Sequence, residues 1–132
     1  MKETTTKHDY SSKECNAALM NLGDALYAIG GKWKLKIYKL LRQGTPVRFS
    51  GISRMLTDIS EKTLTAQLRE MEKDGILARI VFPEVPPRVE YQLTDLGHSL
   101  DHVFLSLENW GKEYIRQRAK QNARSASSSK YY

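Results

Sequence analysis

A single cysteine, Cys15, excludes a disulfide within the chain and leaves too few thiolates for a zinc ribbon or zinc finger. No apolar run approaches the ~20 residues that a membrane-spanning helix requires. The polar N-terminus, Met1–Tyr10, lacks the apolar core of a secretory signal. These absences lead to the expectation of a soluble cytoplasmic protein in a reducing compartment, with no membrane partner. Also missing are a nucleophile–base pair, a carboxylate pair and a glycine-rich phosphate loop, so neither enzymatic activity nor a cofactor is expected. His98 and His102 stand at i, i+4, but no third ligand lies near them and no metal site is expected.

Acidic residues are also missing over two long stretches. Between Ala25 and Thr57 there is none, while Lys32, Lys34, Lys36, Lys39, Arg42, Arg48 and Arg54 all occur there. After Glu113 there is again none, and Arg116, Arg118, Lys120, Arg124 and Lys130 follow. The net charge of +6 points to an anionic partner, although charge alone does not separate nucleic acid from an acidic membrane surface. With 132 residues, 40% hydrophobic and 27% charged, the chain suits one globular domain.

Periodicity gives the order of elements. Residues 1–14 are polar and read as a flexible arm. Leu19, Leu22, Leu26 and Ile29 recur at helical spacing from Ala18 onward, and Gly30-Gly31 ends that helix. A second helix over about Lys32–Arg42 carries Trp33, Ile37, Leu40 and Leu41 as its apolar stripe, with its lysines largely elsewhere. Val47-Arg48-Phe49 suits a very short strand, and Ser50–Leu56 a short helix. Ser60 caps a helix running to Asp74, which Gly75 terminates.

Strands are then expected at Leu77–Phe82 and at Arg88–Leu93, where apolar and polar residues alternate, joined by the stiff loop Pro83–Pro87. Thr94 and Asp95 open one long helix bearing Leu96, Leu100, Val103, Phe104, Leu107, Trp110 and Tyr114. The tail 121–132, rich in serine and basic residues, reads as disordered. Two closely spaced helices followed by a hairpin describe a winged helix-turn-helix, mainly α with a small β-hairpin, spanning residues 15–120.

The helix after Ser60 is net acidic, yet its cations share a face. At ~100° per residue, Lys62, Arg69 and Lys73 fall within ~40° of one another, opposite Leu64, Leu68 and Met71. Ala66 lies in the same sector and Thr65 borders it. Surface helices are commonly charged outside, so this face alone does not decide the matter; the hairpin directly after it favours insertion into a DNA major groove. N-terminal residues of an inserted helix reach bases most readily, so Lys62, Thr63, Thr65, Ala66 and Arg69 are the candidate readers. Ser60 and the first backbone N–H groups suit a phosphate. The acid-free stretch, including Arg48, is expected to supply nonspecific phosphate attraction.

Several segments resemble the HxlR-type transcriptional regulators. These are Gly30-Gly31-Lys32-Trp33, Arg48-Phe49-Ser50-Gly51-Ile52, Ile59-Ser60-Glu61-Lys62-Thr63-Leu64 and Leu68-Arg69-Glu70-Met71-Glu72. Pro83-Glu84-Val85-Pro86-Pro87-Arg88-Val89-Glu90-Tyr91, Leu93-Thr94-Asp95-Leu96-Gly97 and Trp110 extend the match, which runs from Cys15 to Trp110. The resemblance implies a homodimeric regulator of MarR-like architecture on double-stranded DNA, reading a roughly palindromic operator, with each wing near the minor groove. The wing tip has Glu84 and no basic residue, so Arg79 and Arg88 on its arms are the better contacts.

Dimer pairing is expected through Leu19, Leu22 and Leu26 of the first helix and through Leu100, Val103, Phe104, Leu107, Trp110 and Tyr114 of the last, where Gly111 permits close approach. Cys15, placed just before the first helix, matches the position of an oxidant- or electrophile-sensing cysteine in the family; an inert thiol is the other reading. Two alternatives to a plain regulator stay open: a stress sensor switched at Cys15 or by a small ligand, and a winged-helix protein–protein module.

Overall fold

The structure is a computed structural model describing residues 12–129, so residues 1–11 of the expected arm lie outside the described residues. The elements in chain order are α1 (Ser12–Ile29), α2 (Lys34–Leu41), β1 (Val47–Arg48), α3 (Phe49–Met55) and α4 (Glu61–Lys73). They continue with β2 (Leu77–Phe82), β3 (Arg88–Leu93), α5 (Asp95–His98) and α6 (Asp101–Ser129). This is a mainly α winged helix-turn-helix with a small antiparallel sheet. No helix among the described residues is long and apolar enough to cross a membrane.

β2 and β3 form the hairpin, pairing Leu77 with Leu93 and Phe82 with Arg88 at its two ends. β1 adds a third strand beside β3 through Val47↔Tyr91 and Arg48↔Glu90, in the order β1-β3-β2. Alternation along the strands sends Leu77, Tyr91 and Leu93 into the core.

The limits of α4 follow from its caps. Ser60 Oγ accepts the Thr63 N–H at 3.1 Å at the start. At the end Gly75 takes φ +78°, its N–H donates to Glu72 O at 3.0 Å, and Ile76 N–H donates to Met71 O at 2.9 Å. That pattern is a Schellman closure, which needs a residue tolerant of positive φ at Gly75. Leu64, Leu68 and Met71 are buried at i, i+4, i+7 and meet Ile37, Tyr38 and Leu41 of α2, Ile52 of α3 and Leu77 of β2 in one core.

Four expectations are corrected. The first helix begins at Ser12, so residues 12–14 are helical and Cys15 lies inside α1. The α2 stripe is rotated: Lys34, Ile37, Tyr38 and Leu41 are buried, while Trp33 and Leu40 are half-buried. The long last helix is broken at Ser99-Leu100. Leu100 N–H turns back to Gly97 O at 3.0 Å, and Ser99 Oγ donates to Leu96 O, which gives the backbone a local alternative to a continuous helix. Finally, residues 121–129 of the tail expected to be disordered continue α6 to Ser129, and residues 130–132 lie outside the described residues. Residues 112–126 contain no proline or glycine, include Ala119, Ala123 and Ala126, and are otherwise largely strong helix formers. Glu113 bridges to Arg116 at 2.6 Å, and hydrogen bonds from Arg116 and Gln117 hold its carboxyl below the usual range.

α6 is moored to α2. Phe104 is buried against Tyr38 with ring centres 5.2 Å apart, and Arg42 pairs with Asp101 at 2.8 Å. Burial, reinforced by the Asp101 carboxylate, pushes the Tyr38 phenol above its ordinary value. Thr94 joins the end of β3 to the end of α4: its hydroxyl lies 3.1 Å from Ile76 O and accepts the Gly97 N–H at 3.1 Å.

Gly97 packs so tightly that a Cβ there would strike Ile76 O and meet Leu93 at 3.2 Å. Gly97→Ala is therefore expected to cost about 1–3 kcal/mol of stability. A thermal melt followed by circular dichroism checks this, and an unchanged melting temperature would contradict the packing.

Candidate nucleic-acid interface

Burying Leu64, Leu68 and Met71 leaves the opposite face of α4 outside. Lys62, Ala66 and Arg69 are exposed there, and Thr63 and Thr65 are half-buried at its margins. Ser60 is committed as the cap, its hydroxyl also donating to Thr63 Oγ1 at 2.9 Å, so the free backbone N–H groups of the first turn remain as the anion-facing donors. Thr65 and Arg69 line a polar depression of 270 Å³ together with Arg79 from β2 and Phe49, Glu72 and Tyr91. The outer face of α4 and one wing arm thus open onto a common surface.

Ion pairing divides the cations differently from the sequence-based expectation. Of the cations in the acid-free stretch, Lys34 pairs with Glu70 at 2.9 Å, Lys39 with Glu108 at 3.3 Å and Arg42 with Asp101 at 2.8 Å. Arg48 lies 3.9 Å from Glu90. Acids from later segments therefore fold back onto this stretch and offset much of its charge. Lys62, Arg69 and Arg79 form no ion pair among the described residues. Cations without an ion pair among the described residues thus include those on the outer face of α4 and the β2 arm, Lys32, Lys36 and Arg54 of the stretch itself, and Lys112, Arg118, Lys120 and Arg124 of α6. Lys32 and Lys36 lie 4.9 and 5.0 Å from the Trp33 ring centre.

Arg88 is more constrained than Arg79. Its guanidinium lies 3.9 Å from the Phe82 ring centre, with Glu84 at 3.3 Å and Glu90 at 3.4 Å. Arg48, Ser50, Glu84 and Arg88 border a 490 Å³ cleft under the Pro83–Pro87 loop. Arg48 and Arg88 thus approach the same Glu90 carboxylate, Arg48 from β1 and Arg88 from within β3 itself.

Away from this face, α1 and α6 present large apolar side chains. Leu19, Leu22 and Leu26 on α1 are 57–60% exposed, joined by Met20 and Tyr27. On α6, Leu107, Trp110 and Tyr114 are exposed, with Leu105 and Ile115 beside them, and Trp110 stacks on Tyr114 with ring centres 5.2 Å apart. Phe104 is a correction: it is spent on the monomer's core against Tyr38 and is not free for a partner. Leu100 also packs against that core, and Val103 is half-buried. Cys15 is half-buried at i−4 from Leu19, on the same stripe as Leu22 and Leu26. His98 and His102 fall on different helices, either side of the Ser99-Leu100 turn.

The reading from periodicity missed the Lys34–Glu70 pair. Its signal was present, because Lys34 stands at i−3 and i−4 from Ile37 and Tyr38, squarely on the buried stripe.

Comparison with known proteins agrees with this geometry. The HxlR-like helix-turn-helix family pattern matches residues 28–119. An uncharacterised HTH-type transcriptional regulator of Halalkalibacterium halodurans is 42% identical over 103 residues, covering 78% of this chain and 91% of that protein. The crystal structure of the HTH-type regulator YtcD is 43% identical, covers 72% of this chain and 96% of its own, and superposes with a TM-score of 0.67. The redox regulator HypR in its oxidised form is 40% identical with a TM-score of 0.65, covering 70% of this chain and 95% of that one. Fold, exposed recognition face and relatives together establish that the chain belongs to the HxlR family of helix-turn-helix transcriptional regulators.

Proposed function

We propose that the protein acts as a homodimer on a roughly palindromic DNA operator, each α4 entering a major groove. The observation that carries this reading is that Thr65, Arg69 and Arg79 line one surface with Lys62 exposed on the same face of α4, and that none of these three cations is paired with a carboxylate, whereas Lys34, Lys39 and Arg42 are. Lys62, Thr65, Ala66 and Arg69 face base edges, Thr63 borders them, and the first-turn N–H groups after Ser60 with Arg79 hold phosphates. Arg48 and Arg88 keep the wing in register beside the groove. The partner across the dimer is a second copy, a reading supported by the exposed large apolar side chains that α1 and α6 present together, Leu19, Leu22, Leu26, Leu107, Trp110 and Tyr114. DNA binding places the working protein in the cytoplasm, on the nucleoid.

A second reading adds a sensor. Cys15 shares the α1 stripe expected to face the partner, and one similar structure is that of a redox regulator. An oxidant or electrophile acting on this thiol would then disturb the dimer face, with any disulfide formed between subunits or with a small thiol.

Four outcomes follow. Selection of bound duplex from a random pool is expected to enrich a two-fold-related sequence; enrichment of nothing would favour a protein–protein module instead. On the selected duplex, Lys62→Ala/Arg69→Ala is expected to weaken binding by about 1–3 kcal/mol per lost base contact, read by fluorescence anisotropy, and wild-type affinity would contradict the groove assignment. Leu22→Glu/Trp110→Glu, which alters only exposed positions, is expected to convert a dimer to a monomer in sedimentation equilibrium, whereas an unchanged mass would place the interface elsewhere. Diamide should release wild-type protein from the duplex and leave Cys15→Ser bound; equal responses would remove Cys15 from the sensor.

A further inference from the structure

Lys34 is a buried charge, its side chain only 6% exposed. Its ammonium meets Glu70 Oε1 at 2.9 Å, donates to Tyr27 O at 3.4 Å and lies 5.6 Å from the Tyr27 ring centre. The three residues belong to three helices: Tyr27 to α1, Lys34 to α2 and Glu70 to α4. Around the lysine stem, Ala28, Ile29, Leu35 and Met71 leave no water-sized gap. An apolar side chain of the same length would fill that space without the cost of desolvating a charge, so packing does not explain a lysine here.

Geometry does. Leu64, Leu68 and Met71 attach α4 by one narrow apolar stripe, and apolar contacts are not directional, so they resist separation more than roll. Glu70 sits off that stripe, ~40° round the helix from Ala66 and next to the outward face. A buried ammonium tolerates loss of its carboxylate poorly, which pins this flank of α4 at one rotation. Any change in roll would swing Lys62, Ala66 and Arg69 across the groove.

We infer that Lys34 is a positioning residue for DNA reading: through Glu70 it sets the roll of α4, and through Tyr27 it ties that roll to α1. This rests on the groove assignment proposed above. It also gives the dimerisation helix a direct physical link to the recognition helix, independent of any contact between Lys34 and DNA.

The test compares wild type, Glu70→Gln, Lys34→Met and Lys34→Met/Glu70→Gln. Each is titrated against the duplex selected by wild type and against a random duplex, with thermal melts alongside. The ratio of the two affinities cancels any loss of folded protein, and it also cancels the uniform change in phosphate attraction when a charge is removed. Glu70→Gln is expected to melt lower, because it leaves the buried ammonium without its counter-charge, and to lose about 10-fold in the ratio. The double variant, with a neutral and well-filled site, is expected to melt like wild type yet keep the lowered ratio. A double variant whose ratio returns to the wild-type value together with its stability would overturn the inference and leave Lys34 a packing residue. Should the Lys34 variants fail to fold, Glu70→Gln decides alone, and an unchanged ratio overturns it. Wild-type protein that enriches no duplex overturns the DNA reading and this inference with it.

Discussion

The burial of Leu64, Leu68 and Met71 against α2, α3 and β2 is the contact on which the rest depends. These three side chains decide which side of α4 is inside and so which residues are left for a partner. With the inner face fixed, Lys62, Ala66 and Arg69 have only the outer one. The caps at Ser60 and Gly75 set where the helix starts and stops. The Ile76 backbone and the Thr94 hydroxyl then bring β2 and the α5 turn to its end.

Charge follows from the same arrangement. The stretch from Ala25 to Thr57 looks in sequence like a basic surface, but Glu70, Glu90, Asp101 and Glu108 return to it in the fold. Apart from the buried Lys34, such exposed pairs add little stability; their larger effect is to offset positive potential away from the outer face of α4. The cations left without carboxylates on α4 and β2 gain weight by contrast. A helix that is net acidic in sequence thereby still carries cations without carboxylate partners on its outer face.

Much of this was legible in the order of residues. The limits of β2 and β3 agree with the alternation, and α4 with its cap residues, because each depends on neighbours within a few positions. What escaped depends on distant partners. Phe104 belongs to the core only because Tyr38 stands 5.2 Å away, and the rotated stripe of α2 reflects the buried Lys34 and its carboxylate 36 positions later. The early start of α1 and the long run of α6 were missed for another reason. Their polar, serine-containing ends lack an apolar stripe, and helix propensity alone carries them.

The central claim is that the outer face of α4, together with the β2 arm of the wing, meets DNA while α1 and α6 face a second copy. Backbone amide shifts of labelled protein, followed while the selected duplex is added, test it most directly. The account predicts the largest changes at Lys62, Thr65, Ala66, Arg69 and Arg79, with residues 105–115 of α6 little affected. Changes concentrated on α1 and α6, with α4 silent, would contradict it.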